Sequence, residues 1–124
     1  MNGNNLLVDT NILIYLLDKN PGVLPVLENK SIYISFISEL ELLSCKNYTA
    51  NELKVLNALL NDCIIIDINA EIKIFSVNYR IKNKLKLPDA IIAATAQHLG
   101  IPLLTADRDF TNLKNIDIVI FEQL

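Results

Sequence analysis

The sequence predicts a three-layer α/β/α domain on a mostly parallel sheet of about five strands. Three observations lead there. Strand-like and helix-like stretches alternate along the chain, which is the pattern of βαβ units. The runs Leu6-Leu7-Val8, Cys63 to Ile66 and Ile118-Val119-Ile120 are apolar at successive positions, as strands covered on both faces must be. With three glycines and four prolines in 124 residues, the connections are short.

Each element follows from local pattern. Leu6-Leu7-Val8 is a short strand that ends at an acid. Thr10 to Asp18 has helical apolar spacing, and Pro21-Gly22 interrupts the pattern after it. Ser31 to Ser35 is rich in β-branched and aromatic residues and reads as a strand. Phe36 to Cys45 reads as a helix. Thr49 to Leu60 is another, and Thr49 with Glu52 forms a capping-box pattern at its start. Cys63 to Ile68 is the clearest strand. Asn69 to Lys84 is a long amphipathic helix, and Pro88 to Leu99 is a helix ended by Gly100. Leu103 to Thr105 and Ile118 to Ile120 complete the strands.

The chain suits one domain over residues 1–124, with 52% hydrophobic and 20% charged residues. That composition argues against disorder. No repeat, linker or low-complexity segment interrupts it. No apolar run reaches the roughly 18 residues of a membrane span. The opening Met1-Asn2-Gly3-Asn4-Asn5 has no basic region, so it does not read as a secretory signal, and the expectation is a cytoplasmic protein. Cys45 and Cys63 lie in different elements, and His98 is the one histidine, so a structural zinc site of about four N/S ligands is rejected. A disulfide is disfavoured inside a cell. The net charge of −3 argues against binding nucleic acid through a broadly basic surface.

In folds of this class ligands sit at the carboxyl ends of the strands. Acids stand there. Asp9 follows the first strand, Asp107 the fourth, Asp89 opens the helix after Pro88, and Glu41 lies on the helix after the second strand. Each also has a plainer reading. Asp9 and Asp89 can cap helices, Asp107 and Asp109 can be turn residues, and Glu41 can be a solvated charge that helical spacing does not separate from Glu39. The helix after Asp89, Ala90 to Ala96, is nearly apolar all round and so should be buried. Clustered carboxylates repel one another unless a cation joins them, and hard oxygen ligands select Mg²⁺ or Mn²⁺. Such a cluster suits phosphodiester cleavage. One histidine near a helix end supports no serine or cysteine triad; His98 reads as a helix-terminal cation. An aspartyl phosphohydrolase expects a second aspartate where Asn11 stands, and a phospho-receiver expects paired acids near the first strand and a lysine after a late strand, both missing here.

Four segments, in order, resemble the PIN-domain ribonucleases, and in particular the VapC-type toxins of bacterial and archaeal toxin–antitoxin pairs. They are Leu7 to Tyr15 (LVDTNILIY), Ile34 to Leu43 (ISFISELELL), Leu87 to Ala96 (LPDAIIAATA) and Leu103 to Phe110 (LLTADRDF). The likeness spans almost the whole chain. It implies that Asp9, Glu41, Asp89 and Asp107 are the metal-binding, catalytic acids, with Asn11, Thr105 and Asp109 as accessories. It also prefers Glu41, which follows the apolar Leu40 and precedes Leu42, to Glu39. The chain departs from the family pattern at Cys45, where a glycine is common, and at Glu39, which is usually apolar. The resemblance implies a Mg²⁺- or Mn²⁺-dependent endoribonuclease, an RNA substrate, an antitoxin partner and a homodimer. Arg80, Lys82, Lys84 and Lys86, with Arg108 and Lys46, are candidates for holding RNA phosphates near the site; the plainer reading of the first four is cations at a helix end. The alternative function is a non-catalytic PIN-like scaffold that binds RNA or protein.

Overall fold

A computed structural model of the chain describes residues 3–122. Met1 and Asn2, part of the opening read for a leader, lie outside them. The order of elements is β1 (Asn5–Val8), α1 (Thr10–Leu17), α2 (Val23–Leu27), β2 (Ser31–Ser35), α3 (Phe36–Ser44), α4 (Ala50–Asn61), β3 (Ile64–Ile66), α5 (Ala70–Asn83), α6 (Leu87–Leu99), β4 (Leu103–Thr105), a 3-10 turn (Arg108–Phe110) and β5 (Ile118–Ile120). The five strands form one sheet in the order β3-β2-β1-β4-β5, and every pairing is parallel. The chain builds outward from β1 to β2 and β3, then crosses to β4 and β5 on the other side. The strand order therefore reverses at the β1–β4 boundary, where α/β sheets open a crevice at their carboxyl edge.

The alternation of side chains along β1 sorts the core into two layers. Leu7 packs with Ile72, Ile92, Leu103 and Phe110 on the face covered by α5 and α6. Leu6 and Val8 pack with Ile12, Leu13, Leu42, Leu56 and Leu104 on the face covered by α1, α3 and α4. Neighbouring residues of one strand thus feed opposite layers, as the period of two requires.

Two expectations change. The runs at β3 and β5 read as strands buried on both faces, but they are the sheet edges: Ile64 is 45% exposed and Val119 44%. Apolar content does not encode strand order. The segment after Pro21-Gly22, for which the sequence predicts no element, forms α2. Pro25 is its third residue, within the first turn, where its missing N–H costs no helical bond.

The helix signals hold elsewhere. Thr49 and Glu52 exchange both capping-box bonds at 3.1 and 3.0 Å. Gly100 ends α6 at φ +68°. Ala90 to Ala96 are all buried, so α6 runs through the interior and presents its first turn at the edge of the sheet.

Candidate metal centre

Four acids line one open cleft of about 380 Å³: Asp9, Glu41, Asp89 and Asp107. The sheet explains why residues so distant in sequence meet. Asp9 follows β1 and Asp107 lies two residues past β4, so both stand at the carboxyl edge beside the switch in strand order. Asp89 sits in the first turn of α6 and Glu41 on α3.

Asp9 is buried and its carboxylate is held at both oxygens. The Thr10 backbone N–H donates to Oδ1 at 2.8 Å, and the Thr105 hydroxyl donates to Oδ2 at 2.7 Å. It is therefore the cap residue of α1 as well as a cleft residue. Asp89 is different. It is the third residue of a helix that begins at Leu87, the cap residue is Lys86, and no side chain caps that helix. The capping reading of Asp89 fails, and among the described residues no group donates a hydrogen bond to its carboxylate.

Glu41 is separated from Glu39 by a contact from another helix. Thr10 Oγ1 lies 2.6 Å from Glu41 Oε1 and 2.9 Å from Ser38 Oγ. The Thr10 hydroxyl carries one proton, for which the Glu41 carboxylate, at the shorter distance, and the Ser38 oxygen both stand as acceptors. Glu39 does not line the cleft. Sequence reasoning misses Thr10 and Ser38; the available signal is two small polar residues at buried positions, Ser38 one turn before Glu41 on α3.

Asp107 begins the 3-10 turn. Its N–H donates to Thr105 Oγ1 at 3.0 Å, and its Oδ1 accepts from the Asp109 N–H at 2.9 Å. Thr105 Oγ1 thereby ties Asp9 to Asp107. Asn11 lines the cleft, whereas the Asp109 side chain does not.

The electrostatics agree with crowding of like charge. Burial, chiefly, raises the Asp9 carboxyl above its ordinary range; the bonds from Thr105 and Thr10 oppose this, and Asp107 and Glu41 add to it. Asp89 is pushed up to about 6, by desolvation first and then by Asp9, Asp107 and Glu41, with Lys86 opposing. Four carboxylates sharing a cleft resist ionising together unless a cation joins them.

The donor set fits a hard divalent cation: carboxylate oxygens with hydroxyls behind them, and no nitrogen. Among the described residues, no three His, Cys, Asp or Glu side chains stand already gathered at ion-holding spacing. Mg²⁺ demands less than that, since it takes one or two carboxylates and keeps several waters.

The basic residues are scattered around the fold. Lys86 is the one whose charge reaches Asp89. Arg80 bonds the Leu85 carbonyl at 3.4 Å, Lys84 takes the left-handed position ending α5, and Lys82 lines a separate cavity. Arg108 pairs with Glu122 and Lys46 with Glu52. None of these cations lines the carboxylate cleft. His98 ends α6, with Nδ1 2.8 Å from Glu71 and Nε2 3.2 Å from Asn69 of the α5 cap, so it joins two helices. Both cysteines are free thiols.

Known proteins share this fold. The family model described as PIN domain matches residues 6–116. A toxin–antitoxin complex from Klebsiella pneumoniae contains a chain 34% identical, at a TM-score of 0.85, covering 96% of this chain and 99% of that one. The VapBC2 complex of Rickettsia felis bound to a promoter DNA fragment matches at 23% identity and a TM-score of 0.84, over 95% and 99% of the chains. FitAcB of Neisseria gonorrhoeae matches at 21% and 0.75, over 91% and 95%. The last two establish likeness of fold. Among curated proteins none matches.

Proposed function

The chain belongs to the PIN-domain family, and on that premise we propose that it is a Mg²⁺- or Mn²⁺-dependent endoribonuclease, the toxin of a toxin–antitoxin pair, working as one domain over residues 1–124. The observation that carries this is the single cleft at the sheet's switch point, lined by Asp9, Glu41, Asp89 and Asp107.

The reaction is hydrolysis of an RNA phosphodiester: water adds to phosphorus and gives up a proton to solvent or a carboxylate, the bond to the ribose oxygen breaks, and that oxygen leaves as a hydroxyl with a proton from solvent. A bound divalent cation supplies an activated water and offsets the charge on the phosphate. The residues of the chain do the positioning. Thr105 and the Thr10 N–H fix both oxygens of Asp9, so its orientation needs no rearrangement. Thr10 turns Glu41 toward the same cleft. Asp89, without a donor among the described residues, keeps its lone pairs for the cation, and Asn11 is a polar group at the rim. Lys86 sits close enough to bias a phosphate toward Asp89.

An antitoxin partner is supported by the 34% identical relative, which comes from a toxin–antitoxin complex. A homodimer and a cytoplasmic setting belong to the same reading. No helix among the described residues is long and apolar enough to cross a membrane.

The test is cleavage of total cellular RNA by the partner-free protein with Mg²⁺ or Mn²⁺, with EDTA, and beside Asp9→Asn. Discrete metal-dependent cuts lost in Asp9→Asn are expected. The second reading, a non-catalytic PIN-like scaffold, is favoured by the lack of three gathered ligands among the described residues. Metal binding without a cut in any cellular RNA establishes that reading instead.

A further inference from the structure

A second cavity, of about 370 Å³, lies between α5, the end of α6 and the segment that leads to β5. Its chemistry is unlike that of the carboxylate cleft. Lys82 and Lys114 line it, no Asp or Glu does, and neither lysine has an ion-pair partner among the described residues. In a chain of net charge −3 this is a local concentration of unneutralised positive charge. Five side-chain amides surround it: Asn78, Asn83, Gln97, Asn112 and Asn115. The four asparagine side chains make no hydrogen bond among the described residues. Gln97 Oε1 accepts from the Tyr79 hydroxyl at 2.7 Å, which leaves the Gln97 NH₂ to face other partners. Half-buried Phe75 adds an aromatic wall.

Free amides offer donor and acceptor together, which matches the edges of nucleobases. Unpaired lysines suit phosphates, and an aromatic wall suits stacking of an unpaired base. We propose that this cavity is a second RNA site, which takes an unpaired nucleotide of a single-stranded segment flanking the bond to be cut. The inference rests on the nuclease reading for its choice of RNA. Gln97 lies eight residues beyond Asp89 on α6, so cleft and cavity are about 12 Å apart along the helix axis.

The test separates this site from the nuclease reading by measuring binding without catalysis. A labelled single-stranded RNA oligonucleotide is titrated by fluorescence anisotropy into the full chain in EDTA, over a range of salt. Lys82→Gln with Lys114→Gln should weaken binding about tenfold and lower the slope of log affinity against log salt by about 1.4, since two phosphate contacts on a single strand are lost. Lys54→Gln with Lys73→Gln, also exposed but outside the cavity, should change neither comparably. Asn112→Ala with Asn115→Gly should weaken binding and leave the salt slope unchanged; glycine keeps the left-handed backbone of Asn115, at φ +70°. Equal losses for the two lysine pairs, or no loss for the amide pair, overturn the site. Neither result depends on whether Asp9→Asn abolishes cleavage.

Discussion

The Thr105 hydroxyl reaches across 96 residues of sequence to Asp9 Oδ2 at 2.7 Å, and the same oxygen of Thr105 accepts the Asp107 N–H at 3.0 Å. One buried threonine therefore joins the acids that follow β1 and β4. Thr105→Val keeps the shape and removes both bonds. A buried carboxylate that loses a donor costs about 1–3 kcal/mol. The expected result is a lower urea midpoint with an unchanged slope, and a metal-free Asp9 that ionises with still more difficulty. An unchanged midpoint would mean that Thr105 does not support Asp9.

Thr10 has a separate role, holding Glu41 from α1. Thr10→Val should leave the fold standing and weaken Mn²⁺ binding about 10–100-fold, the usual cost of removing an outer-shell partner of a ligand. Isothermal titration of the folded variant measures it. Affinity equal to that of the parent removes Glu41 from the ligand set.

Asp89 predicts a pH dependence. Its folded pKa of about 6 lies above the ordinary 3.8, so the fold prefers the protonated form. That contribution is complete below about 3.8 and is lost as pH rises through 6. In EDTA the melting temperature should fall between these values, and Asp89→Asn should flatten the fall and leave the metal-free protein more stable at pH 7. Metal affinity should run the other way, dropping as pH falls below about 6, because protons and the cation compete for the same oxygens. An Asp89→Asn chain less stable than its parent at pH 7 in EDTA contradicts this.

Phe110 anchors the site segment. It is fully buried at the end of the 3-10 turn that Asp107 begins. Phe110→Ala should cost about 3–5 kcal/mol by thermal or urea unfolding. Activity should fall further than stability alone explains, because Asp107 loses the turn that positions it.

Asp9 and Asp107 were legible in the sequence because each closely follows a short apolar strand, and a parallel sheet sends such ends to one edge. Asp89 was legible from the buried helix that carries it, though its capping role was not real. Glu41 and Glu39 were not separable by helix periodicity, since both flank the same apolar stripe. What separates them is a hydroxyl from α1, a contact between residues 31 apart that no local window contains. The exposure of β3 and β5 was not legible for a similar reason: Ile64 and Val119 look like core residues, and only the pairing pattern makes them edges. The cluster of Arg80, Lys82, Lys84 and Lys86 is close to Asp89 in sequence, yet α5 and its left-handed end distribute these side chains to different surroundings.

The central claim is that the cleft lined by acids from four distant segments binds a divalent cation. The most direct measurement is isothermal titration of Mn²⁺ into the purified chain, into Asp9→Asn and into Asp89→Asn, with circular dichroism to confirm that each is folded. Saturable binding by the parent that is lost or greatly weakened in both folded variants is the expected result. Equal binding in all three, or none in the parent, contradicts the claim.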